Sequence, residues 1–250
     1  VSLPALLLFA ATLPGMSHGA AHVHSGVVVA APHEGFDDHT APIAREIARN
    51  LGTGWVVAKN YRKTRERRWF DVNRPTQRAW TREGGRGRAR VTEAGREVYA
   101  EYQRRVDKAS SRTPLGLLVE IHGHNRKGSL DGRRARMRVI ELATIGFDEE
   151  QLVALRKHFR ELVQALPPGD RVVLAVEQLD RTYTTPRGME GQFYFGASGS
   201  KRAGSMSPKR SARALHFECP QHVRFDPRRR ARYTKLFTEL LRPLVKKYAK

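Results

Sequence analysis

A single cysteine, Cys219, stands in a chain of 250 residues. One thiol cannot form an internal disulfide, and every zinc module built from cysteines is excluded. Any metal site must then be made of histidines and carboxylates. Acidic residues are also scarce. The chain has 25 Asp and Glu against 46 Lys and Arg, a net charge of +21 and a pI near 10.9. Such a field favours anionic partners: nucleic acid, acidic polymers or carboxylate-bearing small molecules. Beyond the N-terminus no apolar run approaches the roughly 20 residues of a membrane helix. No Gly-x-Ser-x-Gly elbow occurs, and Gly84-Gly85-Arg86-Gly87 lacks the Lys-Ser/Thr of a phosphate loop. There is no internal repeat, and the lone Cys219 in an apolar strand reads as packing rather than reactive.

The N-terminus reads as a processing segment. Leu3 to Pro14 has the length and apolarity of a secretory signal core, followed by small residues up to Ala21 that suit a peptidase. The expectation is a signal peptide over residues 1–21, a single domain over 22–250, and a secreted or periplasmic location. Within the domain, strands are expected at Gly26–Ala31, Gly54–Lys59, Leu115–His122, Met137–Ile145, Arg171–Val176 and Ala214–Cys219. Helices are expected at Ala41–Leu51 with Thr40 as N-cap, Val91–Ala109, Glu149–Leu166 and Arg229–Tyr248. Tyr61–Arg74 and Gly188–Pro208 read as loops, and Gly84–Arg90 as a flexible basic connector. Strands alternating with helices imply an α/β three-layer sandwich around a mostly parallel, mixed central sheet.

Polar clusters fall where three of these strands end: His33 with the carboxylates after it, His122 and His124, and Glu218. In open α/β sheets the loops beyond the carboxyl ends of strands form the ligand crevice. Two histidines and a carboxylate can hold a catalytic zinc that leaves a position open, and a further carboxylate can act as general base.

Four segments carry a resemblance. Pro32-His33-Glu34-Gly35-Phe36-Asp37-Asp38, Asp71-Val72-Asn73-Arg74, Glu120-Ile121-His122-Gly123 and Leu215-His216-Phe217-Glu218 resemble, in order, motifs of the N-formylglutamate amidohydrolase family. That family is similar in fold and zinc site to the zinc carboxypeptidases and to phage poly-γ-glutamate hydrolases. The resemblance implies a zinc exopeptidase-like fold, with Zn2+ on His33, an aspartate and His122, and Glu218 as general base. Asp37 matches the spacing of the formylglutamate enzymes and Asp38 that of the poly-γ-glutamate enzymes. Asp38 is preferred, because Ala31–Ala48 resembles the second group better. Arg74 with Asn73 would hold a substrate carboxylate, and Glu120 would orient a ligand. His124 is placed near substrate or as an alternative ligand. The chain departs from the pattern at Glu34, at Glu120 in place of aspartate, and after Glu218. There Cys219-Pro220-Gln221-His222 replaces an Asn-Arg pair, and Arg224 is the nearest basic substitute.

The resulting expectation is a zinc-dependent amidohydrolase cleaving a C–N amide bond in an N-acyl-glutamate or γ-glutamyl-like substrate, a small acidic amide or peptide. A secreted zinc carboxypeptidase or a peptidoglycan amidase acting on cell-wall material is the alternative enzyme. From another class, a non-catalytic polyanion or nucleic-acid binder would use the arginine runs at 62–68, 133–138 and 228–232. No nucleic-acid-binding signature accompanies those runs.

Overall fold

Apolar residues on the expected strands occur in runs of both parities, so both faces of the sheet have to be covered. The computed structural model, which describes residues 15–62, 69–80 and 86–249, shows how this is done. Seven strands form the central sheet: β1 (Met16–Gly19), β2 (Val27–Glu34), β3 (Gly54–Lys59), β4 (Leu117–His124), β5 (Val139–Ile145), β6 (Val173–Val176) and β7 (Ala214–Pro220). Their order is β1-β3-β2-β4-β7-β5-β6. The pairs β3–β2, β2–β4, β4–β7 and β5–β6 are parallel, while β1–β3 and β7–β5 are antiparallel. The carboxyl ends of β2, β4 and β7 therefore share one edge with the amino end of β5.

Side chains alternate along each strand and sort into two cores. Val27, Val29, Ala31, Leu117, Val119, Ile121, Leu215 and Phe217 face one layer of three helices: α1 (Thr40–Leu51), α3 (Glu149–Gln164) and α4 (Pro227–Tyr248). Val28, Ala30, Leu118 and Ala143 face α2 (Glu93–Ser110), through Val98, Tyr102 and Val106. The result is the three-layer α/β/α sandwich with a mixed, mostly parallel sheet.

The helix ends follow their sequences. Thr92 accepts from Gly95 N at 3.0 Å to start α2, Asp148 from Gln151 N at 2.8 Å to start α3, and Asp226 from Arg229 N at 2.7 Å to start α4. Helix α1 departs from expectation. Thr40 is its first helical residue, and the flanking His39 has φ 68° with no side-chain cap. The cap comes from Glu34, whose carboxylate accepts from Ala41 N at 2.7 Å, Thr40 Oγ1 at 3.1 Å and His39 N at 3.3 Å. An acid at a helix N-terminus also suits the helix dipole.

Two other expectations are revised. Part of the supposed basic connector, Arg86–Val91, is a strand paired with Thr76–Trp80, which in turn pairs with Phe70–Asp71. The stretch 188–208 includes a short strand, Glu190–Gln192, and a one-turn helix, Ala197–Ser200. Within the expected leader, residues 1–14 lie outside the described residues, but Met16–Gly19 is the edge strand β1, in register with Ala58 to Trp55 of β3. Ala21 N also donates to Ala109 O at 2.8 Å. No described helix is long and apolar enough to cross a membrane.

Candidate metal centre

Strand alternation builds the site on the face that carries α2. Glu120 and His122 on β4, and His216 and Glu218 on β7, are two residues apart and so share a side of the sheet. The parallel register sets Glu218 beside His122 and His216 beside Glu120. The imidazoles of His122 and His216 stack with centroids 3.9 Å apart, and His33 meets His122 edge-on at 4.6 Å.

Asp37 reaches this group through a tight turn. Gly35 has φ 85°, and a Cβ there would lie 2.4 Å from Asn60 Oδ1, so both conformation and space call for glycine. Asp37 N then donates to His33 O at 2.8 Å, which folds the aspartate back against the histidine four residues before it. Asp37 Oδ2 lies 3.5 Å from His33 Nδ1 and 3.3 Å from His122 Nδ1. One ligand atom from each of His33, Asp37 and His122 lies within 4.8 Å of the others, and all three residues are buried. Asp38 is exposed, and its carbonyl accepts from Arg224. Of the two aspartates, the fold therefore brings Asp37, and not the preferred Asp38, to the histidines.

The donor set fits a metal ion on a direct observation. Neither ring nitrogen of His33 makes a well-formed hydrogen bond, although the residue is 2% exposed and Asp71 Oδ1 is 2.8 Å from Nε2. Buried polar atoms are rarely left so. A neutral imidazole with an uncommitted lone pair, beside a second histidine and a carboxylate, is a set that suits zinc. Glu120, His122 and His216 form a second grouping of this kind, but Glu120 is already saturated. Its carboxylate accepts from Tyr102 OH, Asn73 Nδ2 and Ser205 Oγ, each at 2.9 Å, with His216 Nδ1 at 3.1 Å.

The charge states follow from these contacts. Burial, helped by the Arg62 guanidinium, pushes the His33 pKa down to about 4, so the ring is neutral at pH 7. Burial works against a proton on His122 as well, but hydrogen bonds to Asp37 and Glu120 raise its pKa. Burial disfavours ionisation of Asp37, yet the nearby imidazoles of His122 and His33 hold its carboxyl well below the usual range. Glu218 is also lowered: burial opposes its ionisation, and His216 Nε2, 3.2 Å from Oε1, overcomes this. With 12% of its side chain exposed, Glu218 is the carboxylate of this face that solvent reaches. Burial likewise works against the Asp71 carboxylate, which is lowered by Arg62 and Lys201.

The other expected residues divide by their partners. Arg74 is partly exposed, with its Nε donating to Asp71 Oδ2 at 2.5 Å and Nη1 to Ser200 O at 3.1 Å. Asn73 is buried and donates to Glu120, with His122 Nε2 3.3 Å away, so it faces the histidine network rather than open space. Both ring nitrogens of His124 are engaged, Nε2 with Val139 O at 2.9 Å and Nδ1 with Arg126 N at 3.2 Å. Arg224 is buried, donating to Cys219 O, His124 O and Asp38 O. His124 and Arg224 thus brace the loops around the site.

Three residues were not singled out from the sequence. Asp71 lies against His33 and takes Lys201 Nζ at 2.9 Å, and Lys201 also donates to Asn73 Oδ1. His216 links Glu120 to Glu218. Its position two residues before Glu218 on one strand was a usable signal, whereas nothing local marks Lys201.

No family model matches the sequence, and no curated protein matches it. Solved structures do. An N-formylglutamate amidohydrolase from Ralstonia eutropha superposes with a TM-score of 0.56 at 12% identity, covering 94% of this chain and 98% of that one. A gene product of Agrobacterium tumefaciens gives 0.54 at 13% identity, covering 93% and 95%. The likeness is one of fold. The chain shares its architecture, nearly end to end, with an amidohydrolase, and carries buried residues able to hold a metal where three strands end.

Proposed function

We propose that this chain is a zinc-dependent hydrolase of a C–N amide bond in an acidic substrate of the N-acyl-glutamate or γ-glutamyl type. The observation that carries the reading is the buried trio His33, Asp37 and His122, in which neither His33 nitrogen makes a well-formed hydrogen bond, beside a carboxylate that solvent reaches. In this reading those three side chains hold the ion. Bound there, it supplies Lewis acidity towards a carbonyl oxygen and makes water more acidic.

The chain's own groups do the rest. Glu218 is ionised at neutral pH and stands beside His122, so it can take a proton from water and pass it to the departing nitrogen. His216 holds that carboxylate in place. Asn73 lies 3.3 Å from His122 Nε2 and Asp71 2.8 Å from His33 Nε2, where outer partners of metal ligands commonly stand. Arg74, fixed by Asp71 and Ser200, presents a planar cation suited to a substrate carboxylate. The amidohydrolase fold neighbour agrees with this chemistry.

The test is metal content per folded chain, beside turnover of N-formylglutamate and γ-glutamyl amides. We expect about one zinc in the wild type, none in His33→Ala/His122→Ala, and a Glu218→Gln variant that keeps zinc but loses activity about 100-fold or more. A folded wild type that takes up no metal when offered zinc would overturn the reading.

A further inference from the structure

The row of side chains that carries the site continues past Glu218. Glu141 of β5 is in register with Glu218 of β7, and Glu218 with His122 of β4, so all three point to one side of the sheet. Glu141 is fully buried. Its Oε2 accepts from Tyr194 N at 2.9 Å and from Phe195 N at 2.8 Å, and its Oε1 from Tyr183 OH at 2.8 Å. Arg126 pairs with the same carboxylate, just before the antiparallel hairpin of Lys127–Leu130 with Arg133–Arg136. A carboxylate in the row of the site thus pins the main chain at residues 194 and 195.

What is pinned there is aromatic. Tyr194 is 69% exposed, the most exposed of the large apolar residues among those described. Phe195 is half-buried, with its ring centre 4.9 Å from that of Tyr194 and 5.5 Å from that of His124. The Arg126 guanidinium lies 4.9 Å from the Tyr194 ring centre and 5.9 Å from that of Phe195. Its charge is met by Glu141, and it also donates to Tyr183 OH at 2.9 Å and Gln192 O at 3.1 Å. It therefore extends the aromatic surface as a flat, compensated face rather than offering a free cation. Burying a carboxylate is costly, and a fold gains little by using it to fix a tyrosine that stays in water. An apolar ligand lying against that tyrosine recovers the area.

We infer that Tyr194, Phe195 and the face of Arg126 form a subsite for the acyl part of the substrate, and that this part is an alkyl chain of about six to eight carbons. The inference rests on the amide-hydrolase reading, which places the scissile carbonyl by His33, Asp37 and His122 and the substrate carboxylate on Arg74. Arg74 is tied through Asp71 to His33 of β2. The row leads away from it, from His122 past Glu218 to Glu141, over two strand spacings or about 10 Å. The contact of Phe195 with His124 agrees, since His124 is about 7 Å along β4 from His122. A methylene chain advances about 1.25 Å per carbon, from bonds of about 1.5 Å. Formyl ends at the carbonyl carbon, and butyryl stops after about 4 Å. The seven carbons beyond an octanoyl carbonyl extend about 9 Å, which brings the chain end against the rings. Hydrolysis of such a substrate gives the hydroxyl of water to the acyl carbon and its proton to the nitrogen, releasing octanoate and glutamate.

The test compares N-butyrylglutamate with N-octanoylglutamate, whose carbonyls are electronically alike, as substrates of the zinc-loaded full-length protein. The wild type should favour octanoyl about 10-fold or more in kcat/KM, because each of the four further carbons, covered on one side by the rings, contributes a factor of about two. Tyr194→Ser/Phe195→Ser keeps both main-chain donors to Glu141 and should bring the ratio below about twofold. Tyr194→Ser alone, at an exposed position, should keep the wild-type Tm and lower the ratio about two- to fourfold. An octanoyl preference that is absent from the wild type, or that survives in both variants, overturns the subsite. If neither amide is hydrolysed, calorimetric titration of the two compounds decides. Octanoylglutamate bound about 10-fold more tightly than butyrylglutamate by the wild type, and equally by the double variant, leaves the subsite standing and removes the catalytic reading. Equal binding by the wild type overturns the subsite as well.

Discussion

His33 should make the metal-free protein acid-sensitive well above the pH at which carboxylates titrate. Its folded-state pKa is about 4, because burial and Arg62 both disfavour the imidazolium, while in an unfolded chain the imidazole has its ordinary value of 6.5. The sign follows from proton binding. Above pH 6.5 neither state holds the proton, so nothing changes. Between 6.5 and 4 the unfolded state takes it up and the folded state does not, so stability falls as pH falls. One pKa unit corresponds to about 1.4 kcal/mol, so about 2–3 kcal/mol is lost by pH 4.5 and little more below pH 4. His122 works the other way, since its raised folded pKa adds stability on the acid side. Comparing wild type with His33→Gln largely cancels that contribution. Urea unfolding of both metal-free proteins at pH 7.5, 6.0 and 4.5 gives the double difference. The wild type should lose about 2 kcal/mol more than the variant across this range. Equal losses in the two proteins would refute a neutral, buried His33.

Two other substitutions separate neighbours that sequence alone leaves open. Asp37→Asn should lower zinc affinity by about 100-fold or more, whereas Asp38→Asn should leave it unchanged and shift stability by less than about 0.5 kcal/mol; zinc competition with a chromophoric chelator and urea unfolding read both. Glu34→Ala removes the acceptor for three groups at the start of α1 and should cost about 1–2 kcal/mol in urea unfolding, without changing zinc content.

Much of the scaffold was legible because local signals agree with the tertiary arrangement. Gly54–Lys59 forms the strand its β-branched run implies, and α1 follows its apolar spacing. The convergence of His33, His122 and Glu218 was legible from strand polarity alone. The choice between Asp37 and Asp38 was not, because consecutive loop residues differ only by the turn that presents them. Gly35, midway between His33 and Asp37, marks the turn that returns the aspartate to the histidine. The cap on α1 was misread because Glu34 lies six residues before Thr40, outside the local capping pattern. Lys201 could not be foreseen: its contact with Asp71 spans 130 residues and depends on how the segment before β7 folds over the sheet. The hairpin between β4 and β5 was hidden by its composition, since four cations in ten residues read as a charge run rather than as paired strands.

The distribution of cations across the polar face bears on what the site can hold. Arg62, Arg74 and Lys201 all converge on one carboxylate, Asp71. Asp37, Glu120 and Glu218 are buried with no Lys or Arg partner among the described residues, and meet only imidazoles and neutral donors. Each of the three nevertheless has its carboxyl pKa lowered, so each is held as an anion. Buried anions need compensation, because uncompensated charge is costly away from water. The histidines are the groups placed to give it. Burial works against a proton on His122, yet hydrogen bonds to Asp37 and Glu120 raise its pKa. A site whose carboxylates raise the pKa of one fully buried imidazole, while burial keeps the neighbouring His33 neutral, is short of positive charge between them. A divalent cation on His33, Asp37 and His122 would meet that shortage and take the place of the proton, so metal uptake and deprotonation of His122 are coupled.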